Sequence, residues 1–466
     1  MRKRRQIAQK NAILQKVAKK TIAHPPKYYY LYGEYTYYYN YTMKRLLILA
    51  AMLCCTAAMA QTTKEYMLAH PEKMGGNQLA YSTDFRPQTP APKGYKPFYI
   101  SHYGRHGSRY HYTGIDYMMM RNAILKADSA NALTPRGKEL RDRLCRLYDD
   151  GFLRAGDLTQ TGFRQHQGIA KRMVENFPEV FGKGAFIEAK SSTSHRVIIS
   201  MDAFLQQLKS MRPTLQIRTE SSRRIMTYIN LEERDSVSKR LNNDAWRQAQ
   251  DKLEKSFGSP DRFINLVFSD MEYVKKNVKA VPFMRKVAEF NSNLQGVDDL
   301  DFNFDDFFTP DELFDAWQSS NLYWYSNFGP CPYANSRGVK CGRNLLNNFI
   351  EEADKAIAGN GTSATLRFGH DTGLCPLACL MQLDGCTDQV EDLTELYKHW
   401  CDFQIIPMAG NLQMIFYKSK KSPDILVKIL LNENEKTLPI PSDTAPYYKW
   451  SDVKAFWKKT LAEIKL

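Results

Sequence analysis

An apolar, strand-like run, Phe98-Tyr99-Ile100, leads into Tyr103-Gly104-Arg105-His106-Gly107-Ser108-Arg109, and a second run, Ala364-Thr365-Leu366-Arg367-Phe368, leads into Gly369-His370-Asp371-Thr372. Both turn at a glycine before a helical pattern begins. Strands that end this way belong to open parallel sheets, which place their sites outside the carboxyl ends of the strands. Two such ends, far apart in the chain, call for an α/β fold that brings them to one sheet edge.

The residue types at these ends point to phosphate chemistry. A guanidinium is always charged, and its planar fork of donors fits phosphate oxygens. Arg105 and Arg109 therefore read as a phosphate cradle around His106, the candidate nucleophile. His370 adds a further phosphate ligand, and Asp371 adds a carboxyl group able to protonate a leaving oxygen.

Arg-His-Gly-x-Arg followed by a distant His-Asp resembles the histidine phosphatase superfamily, in the branch that holds histidine acid phosphatases and phytases. Ser191-Ser192-Thr193-Ser194-His195-Arg196 is similar to the family segment that contributes another phosphate-binding arginine, here Arg196. The resemblance runs from about Phe98 to about Leu431. It implies catalysis by His106 and Asp371, phosphate binding by Arg105, Arg109, Arg196 and His370, and no metal or cofactor. One departure is visible: Tyr110-His111 stands where the branch usually carries a proline two residues after the second arginine. Tyr110, His111 and Arg154 are candidates for the pocket wall. The His-Asp form resembles acid phosphatases, bacterial phytases and glucose 1-phosphatases. Arg109-Tyr110 is similar to multiple inositol polyphosphate phosphatases.

Charge adds little to a nucleic-acid reading. Of the formal +15, residues 1–45 account for ten, which leaves a modestly basic remainder suited to a small anionic ester. Met43-Lys44-Arg45, the apolar run Leu46 to Ala58 and the Ala58-Met59-Ala60 cleavage pattern read as a signal peptide over 43–60. That run is too short to span a bilayer, so periplasmic or secreted location without stable membrane insertion is expected. Residues 1–42 read as an upstream extension from a mis-assigned start. Seven cysteines follow the leader, an odd number, with Cys331 and Cys341 spaced for a short-loop disulfide.

The stretch from Gln61 to Pro97 is polar and proline-bearing and is expected to wrap the surface. Thr134, Thr159 and Thr309 are placed to cap helices. Gly184 to Ala189 reads as the strand that delivers Arg196, and Leu412 to Tyr417 with Ile425 to Leu431 as a closing strand pair. Between Leu231 and Ser326 the texture is helical. The expected architecture is therefore α/β, doubly wound, with a mainly parallel sheet core from 61–230 and 327–466 and an inserted helical subdomain over 231–326. Two rival readings remain open at this stage. One is a non-catalytic binder of phosphorylated ligands. The other is a metal-dependent hydrolase using His102, His106 and His111, against which the neighbouring arginines argue because they repel a divalent cation.

Overall fold

The computed structural model describes residues 62–83, 85–230, 243–334 and 337–463. The upstream extension 1–42, the signal-like segment 43–60 and residues 231–242 lie outside the described residues.

The chain runs through β1 (Tyr95–Arg105), α1 (Gly114–Ser129), α2 (Pro135–Gly151), α3 (Gln160–Asn176), β2 (Phe186–Ser191), α4 (His195–Met211) and β3 (Gln216–Glu220). Five helices follow: α5 (Asp244–Ser256), α6 (Asp261–Val267), α7 (Met271–Asn277), α8 (Ala280–Leu294) and α9 (Pro310–Phe328). Then come α10 (Arg343–Ile357), β4 (Thr362–Gly369), α11 (Asp371–Leu380), β5 (Asn411–Ser419), β6 (Ser422–Leu431), β7 (Asn434–Lys436), β8 (Tyr447–Lys449) and α12 (Trp450–Glu463). The strands form one sheet in the order β3-β2-β4-β1-β5-β6-β7, with β8 beside β6.

The sheet has the expected parallel core, extended by an antiparallel group that makes it mixed. β3, β2, β4 and β1 are parallel, whereas β1 pairs antiparallel with β5, and β5 to β8 continue antiparallel. The cause is local: β5 and β6 are joined by a tight turn, and a crossover long enough for a parallel partner is absent there. β3 carries no sequence signal because it is an edge strand exposed on most of its length, without the alternation that marks a half-buried strand.

Register places the functional ends together. Gly104 lies opposite Phe368 and Arg105 opposite Gly369, while Ser191 lies opposite Phe368 from the other side of β4. The ends of β1, β2 and β4 thus meet at one edge. Helices cover both faces: Tyr99 and Tyr103 of β1 pack with Leu346, Phe349, Leu374 and Trp457 of α10, α11 and α12, and Ile100 packs with Ile169 and Phe204 of α3 and α4.

The buried faces of the helices of 243–328 divide between two hydrophobic clusters. Trp246 and Leu253 of α5 and Leu322, Tyr325 and Phe328 of α9 join the core over the sheet. Phe263 of α6 and Val287 and Phe290 of α8 pack instead with Ile124 of α1 and Leu140 of α2. The helical part therefore draws on two stretches of sequence, because apolar faces choose partners by proximity in the fold and not by chain order.

Threonine caps start the helices that frame the site. Thr159 accepts from Gly162 N at 3.1 Å and Thr134 from Gly137 N at 2.9 Å. Thr309 and Glu312 form a reciprocal capping box on α9. Gly107 explains the glycine of the first motif: a Cβ there would stand 2.4 Å from Gly162 O, so only glycine lets the β1 end pack on the start of α3. Cys331 is a buried thiol in the core, so the Cys331–Cys341 bridge expected from the spacing is not formed.

Candidate active site

The backbone of His106 is held from two sides. His106 N donates to Gly369 O at 3.0 Å, and Ala409 N donates to His106 O at 2.9 Å. Its ring Nδ1 lies 2.9 Å from Gly107 O. A carbonyl oxygen only accepts, so Nδ1 carries the proton and Nε2 keeps its lone pair. Burial, then Arg105, Arg196, His370 and Arg109, hold His106 well below its ordinary value of 6.5, so the ring stays neutral and nucleophilic.

His370 is the residue that caps α11, and its N donates to Tyr103 Oη at 3.0 Å. Its ring stands edge-on to that of His106, centroids 5.6 Å apart. Burial is the main reason its pKa falls to about 4, with Asp371 opposing the fall and Arg196, Arg105 and Arg109 adding to it. Asp371 opens α11, and its Oδ1 accepts from Thr372 N at 2.8 Å. The N-terminal end of a helix here aims its positive dipole at the site.

His106, Arg109, Arg196, His370 and Asp371 share the wall of one cavity of about 1090 Å³. Arg196 sits in the first turn of α4, with a buried Nε that has no protein hydrogen-bond partner. Arg109 donates to Tyr110 O at 3.0 Å and lies over the Tyr112 ring at 5.6 Å. Burial, with Arg105 and Arg196 close by, lowers Arg109 to about 10, which leaves it charged at neutral pH.

Arg105 is placed differently. It is fully buried, does not reach the wall, and its Nη2 lies 2.7 Å from Asp371 Oδ2. Its Nη1 donates to the carbonyls of Asn77 and Ile406. Arg105 thus braces Asp371 from behind the wall. Burial pushes the Asp371 carboxyl up, but Arg105, His370 and Arg109, with the Thr372 N–H, outweigh it and keep the group below the ordinary 3.8.

Several contributors carry no motif. Residues Pro71–Gln78 were expected on the surface, yet Met74 to Gln78 are buried beside the site. Asn77 Nδ2 donates to Asp371 Oδ2 at 3.3 Å, and Asn77 N donates to Asp402 Oδ2 at 3.0 Å. Asp402, itself fully buried, accepts from Trp317 Nε1 at 3.0 Å. The strap approaches closely because Gly76 adopts φ +56, where a Cβ would stand 2.7 Å from the Asp402 carboxylate. The Gly75-Gly76 pair is the one sequence trace of this approach.

The expected wall residues are corrected. Tyr110 donates to Asp299 at 2.7 Å, and Arg154 lies over the Tyr110 ring at 4.0 Å; neither borders the cavity. His111 turns to Asp116, 2.8 Å away, and Tyr112 takes the wall position. The metal reading is corrected as well. His102 packs between Phe204 and Phe368, so His102, His106 and His111 do not converge. Among the described residues, the group with ligand spacing is His111, Asp116 and Glu289. Lys286 already occupies it, 2.8 Å from Asp116 and 2.6 Å from Glu289.

The buried histidines make acid sensitivity a testable property. Burial holds His102 and His166 at about 3 and His370 at about 4, and His106 is also depressed. In the unfolded chain all four take a proton near 6.5, so the unfolded state binds more protons below that pH. Their contribution is fully present above pH 6.5 and is lost as pH falls towards 4, at up to ~1.4 kcal/mol per histidine per pH unit. Asp402, raised to about 6 by burial, binds a proton in the folded state first and opposes this between 3.8 and 6, as one group against four. The thermal midpoint is expected to fall steeply from pH 6.5 to 4. A flat or rising midpoint would mean that the histidines are charged in the fold.

Comparisons with known proteins bear on the fold and the family. A family model described as the histidine phosphatase superfamily (branch 2) matches residues 215–432, a span that includes His370 and Asp371. The chain is 21% identical over 343 residues to the Gallus gallus multiple inositol polyphosphate phosphatase 1, covering 65% of this chain and 69% of that one. Among solved structures, the Bifidobacterium longum multiple inositol polyphosphate phosphatase bound to inositol hexasulfate superposes with a TM-score of 0.71 at 18% identity, covering 83% of this chain and 97% of that one. The phytase from D. castellii gives a TM-score of 0.63 at 15% identity, covering 86% and 87%.

Proposed function

We propose that the chain, whose residues 215–432 match the model of the histidine phosphatase superfamily (branch 2), is a member of that branch and hydrolyses phosphate monoesters through a phosphohistidine on His106. The observation that carries this reading is the free lone pair of His106 Nε2 in a cavity whose wall includes Arg109 and Arg196.

In the first step Nε2 attacks phosphorus, the P–O bond to the alcohol breaks, and the departing oxygen takes the proton of Asp371. In the second a water attacks phosphorus, the P–N bond breaks, phosphate leaves and Asp371 recovers a proton from the water. Arg109, Arg196 and His370 hold the equatorial oxygens and offset the charge that builds there. Before substrate binds, Arg105 keeps Asp371 ionised. An arriving phosphate brings negative charge next to the carboxylate and raises its pKa, which allows it to hold the proton it must give.

The names of the relatives, multiple inositol polyphosphate phosphatase and phytase, support phosphorylated inositols as a substrate class. The His-Asp form of the second motif supports sugar phosphates. The signal-like sequence over 43–60 supports activity in the periplasm or outside the cell.

The test is rapid denaturing quench during turnover of a labelled aryl phosphate, with EDTA present. Label is expected on the protein as an acid-labile, alkali-stable adduct on His106, at a rate EDTA does not change. Activity that EDTA removes and zinc restores would overturn the reading.

A further inference from the structure

The rest of the cavity differs sharply from the end that grips the phosphate. Beyond Arg109 and Arg196, the cation on the wall among the described residues is Arg285. It lies over the Phe257 ring at 5.3 Å, with Glu254 and Asp315 acting on it electrostatically. No lysine stands on the described wall. Four carboxylates do: Glu72, Glu289, Asp301 and Asp305. Two of the four are offset by cations that stay off the wall, Glu289 by Lys286 at 2.6 Å and Asp301 by Arg146 at 2.5 Å, so the acidic character of this half rests chiefly on Glu72 and Asp305.

Between these acids the wall offers ring faces. Tyr112 and Tyr323 line the cavity with 56% and 55% of their surface exposed, and Phe302 and Trp324 line it too. Exposed aromatic faces suit the apolar face of a sugar-sized ring, and a cavity of this volume has room for one beside the scissile phosphate.

A second phosphate on the substrate would bring close to two further negative charges into this half of the cavity. Sites that bind several phosphates supply arginine or lysine to each, and like charges brought together in a cleft repel. We infer that the cavity selects esters carrying a single phosphate on an uncharged, ring-bearing alcohol, and discriminates against further phosphates on the same ring. This inference rests on the phosphatase reading and narrows it.

The test compares myo-inositol 1-phosphate with phytate, which share a ring and differ in phosphate number. Each is measured as a substrate and as a competitor of aryl phosphate hydrolysis. The monophosphate is expected to have at least a tenfold higher kcat/KM, and phytate is expected to inhibit aryl phosphate hydrolysis at least tenfold more weakly. Phytate turned over faster, or inhibiting more tightly, would overturn the inference. In the double variant Glu72→Lys with Asp301→Lys, the ratio of the two is expected to move at least severalfold towards phytate; an unmoved ratio also counts against it. Failure of the underlying reading looks different. Aryl phosphate turnover would then survive His106→Ala, whatever the ratio.

Discussion

His106→Ala is expected to lower hydrolysis of every phosphate ester by on the order of 10⁴-fold or more, as loss of a nucleophile does in other covalent hydrolases, and to abolish the phosphorylated adduct. The size follows from the chemistry. With the nucleophile gone, the remaining arginines hold the ester but nothing opens the covalent route, and a water has no place already prepared for in-line attack. The fold is expected to survive. The substitution removes a buried group that resists protonation, so the variant should lose less stability than the parent between pH 6.5 and 4. Initial rates together with melting curves check both. A variant that melts like the parent and still turns over aryl phosphate would move the chemistry elsewhere.

Asp371→Asn is expected to divide substrates by their leaving group. Alkyl phosphates, whose alkoxides need a proton to depart, should slow by about 10²–10⁴-fold. Aryl phosphates with acidic phenols should slow far less, because the phenolate leaves unprotonated. A purely structural role would slow both alike. The same change strips the buried Arg105 guanidinium of the carboxylate 2.7 Å away. Breaking a buried pair from one side costs about 3–5 kcal/mol, so the melting midpoint of the empty variant should drop. Added inorganic phosphate should restore part of it by supplying an anion to the arginines. An equal loss on both ester types would remove Asp371 from the role of proton donor, and an unmoved midpoint would mean that its pairing with Arg105 does not stabilise the fold.

How far the site could be read from the chain depended on how local its causes are. His106, Arg196, His370 and Asp371 are each found at a strand end or in the first helical turn that follows, and Arg109 lies in the loop that leaves β1; these junctions have sequence signatures. The threonine caps are equally legible, since the hydroxyl reaches an amide three residues on. Tyr112 was displaced in the reading by its neighbours Tyr110 and His111. Which of three consecutive side chains faces a cavity depends on the partners across the gap, here Asp299 for Tyr110 and Asp116 for His111.

By itself the sequence determined an α/β chain, a candidate nucleophile flanked by guanidiniums, and a distant His-Asp pair, because those follow from short-range rules of strand, glycine and helix start. Tertiary structure alone decided that Arg105 serves Asp371 from behind, and that Asn77 and Asp402 strap the two. It also decided that the helices of 243–328 divide between two cores, and that the far half of the cavity is acidic and aromatic. These facts rest on contacts between residues hundreds of positions apart, where the energy of a pairing depends on distance in space and on burial, neither of which has a local signature.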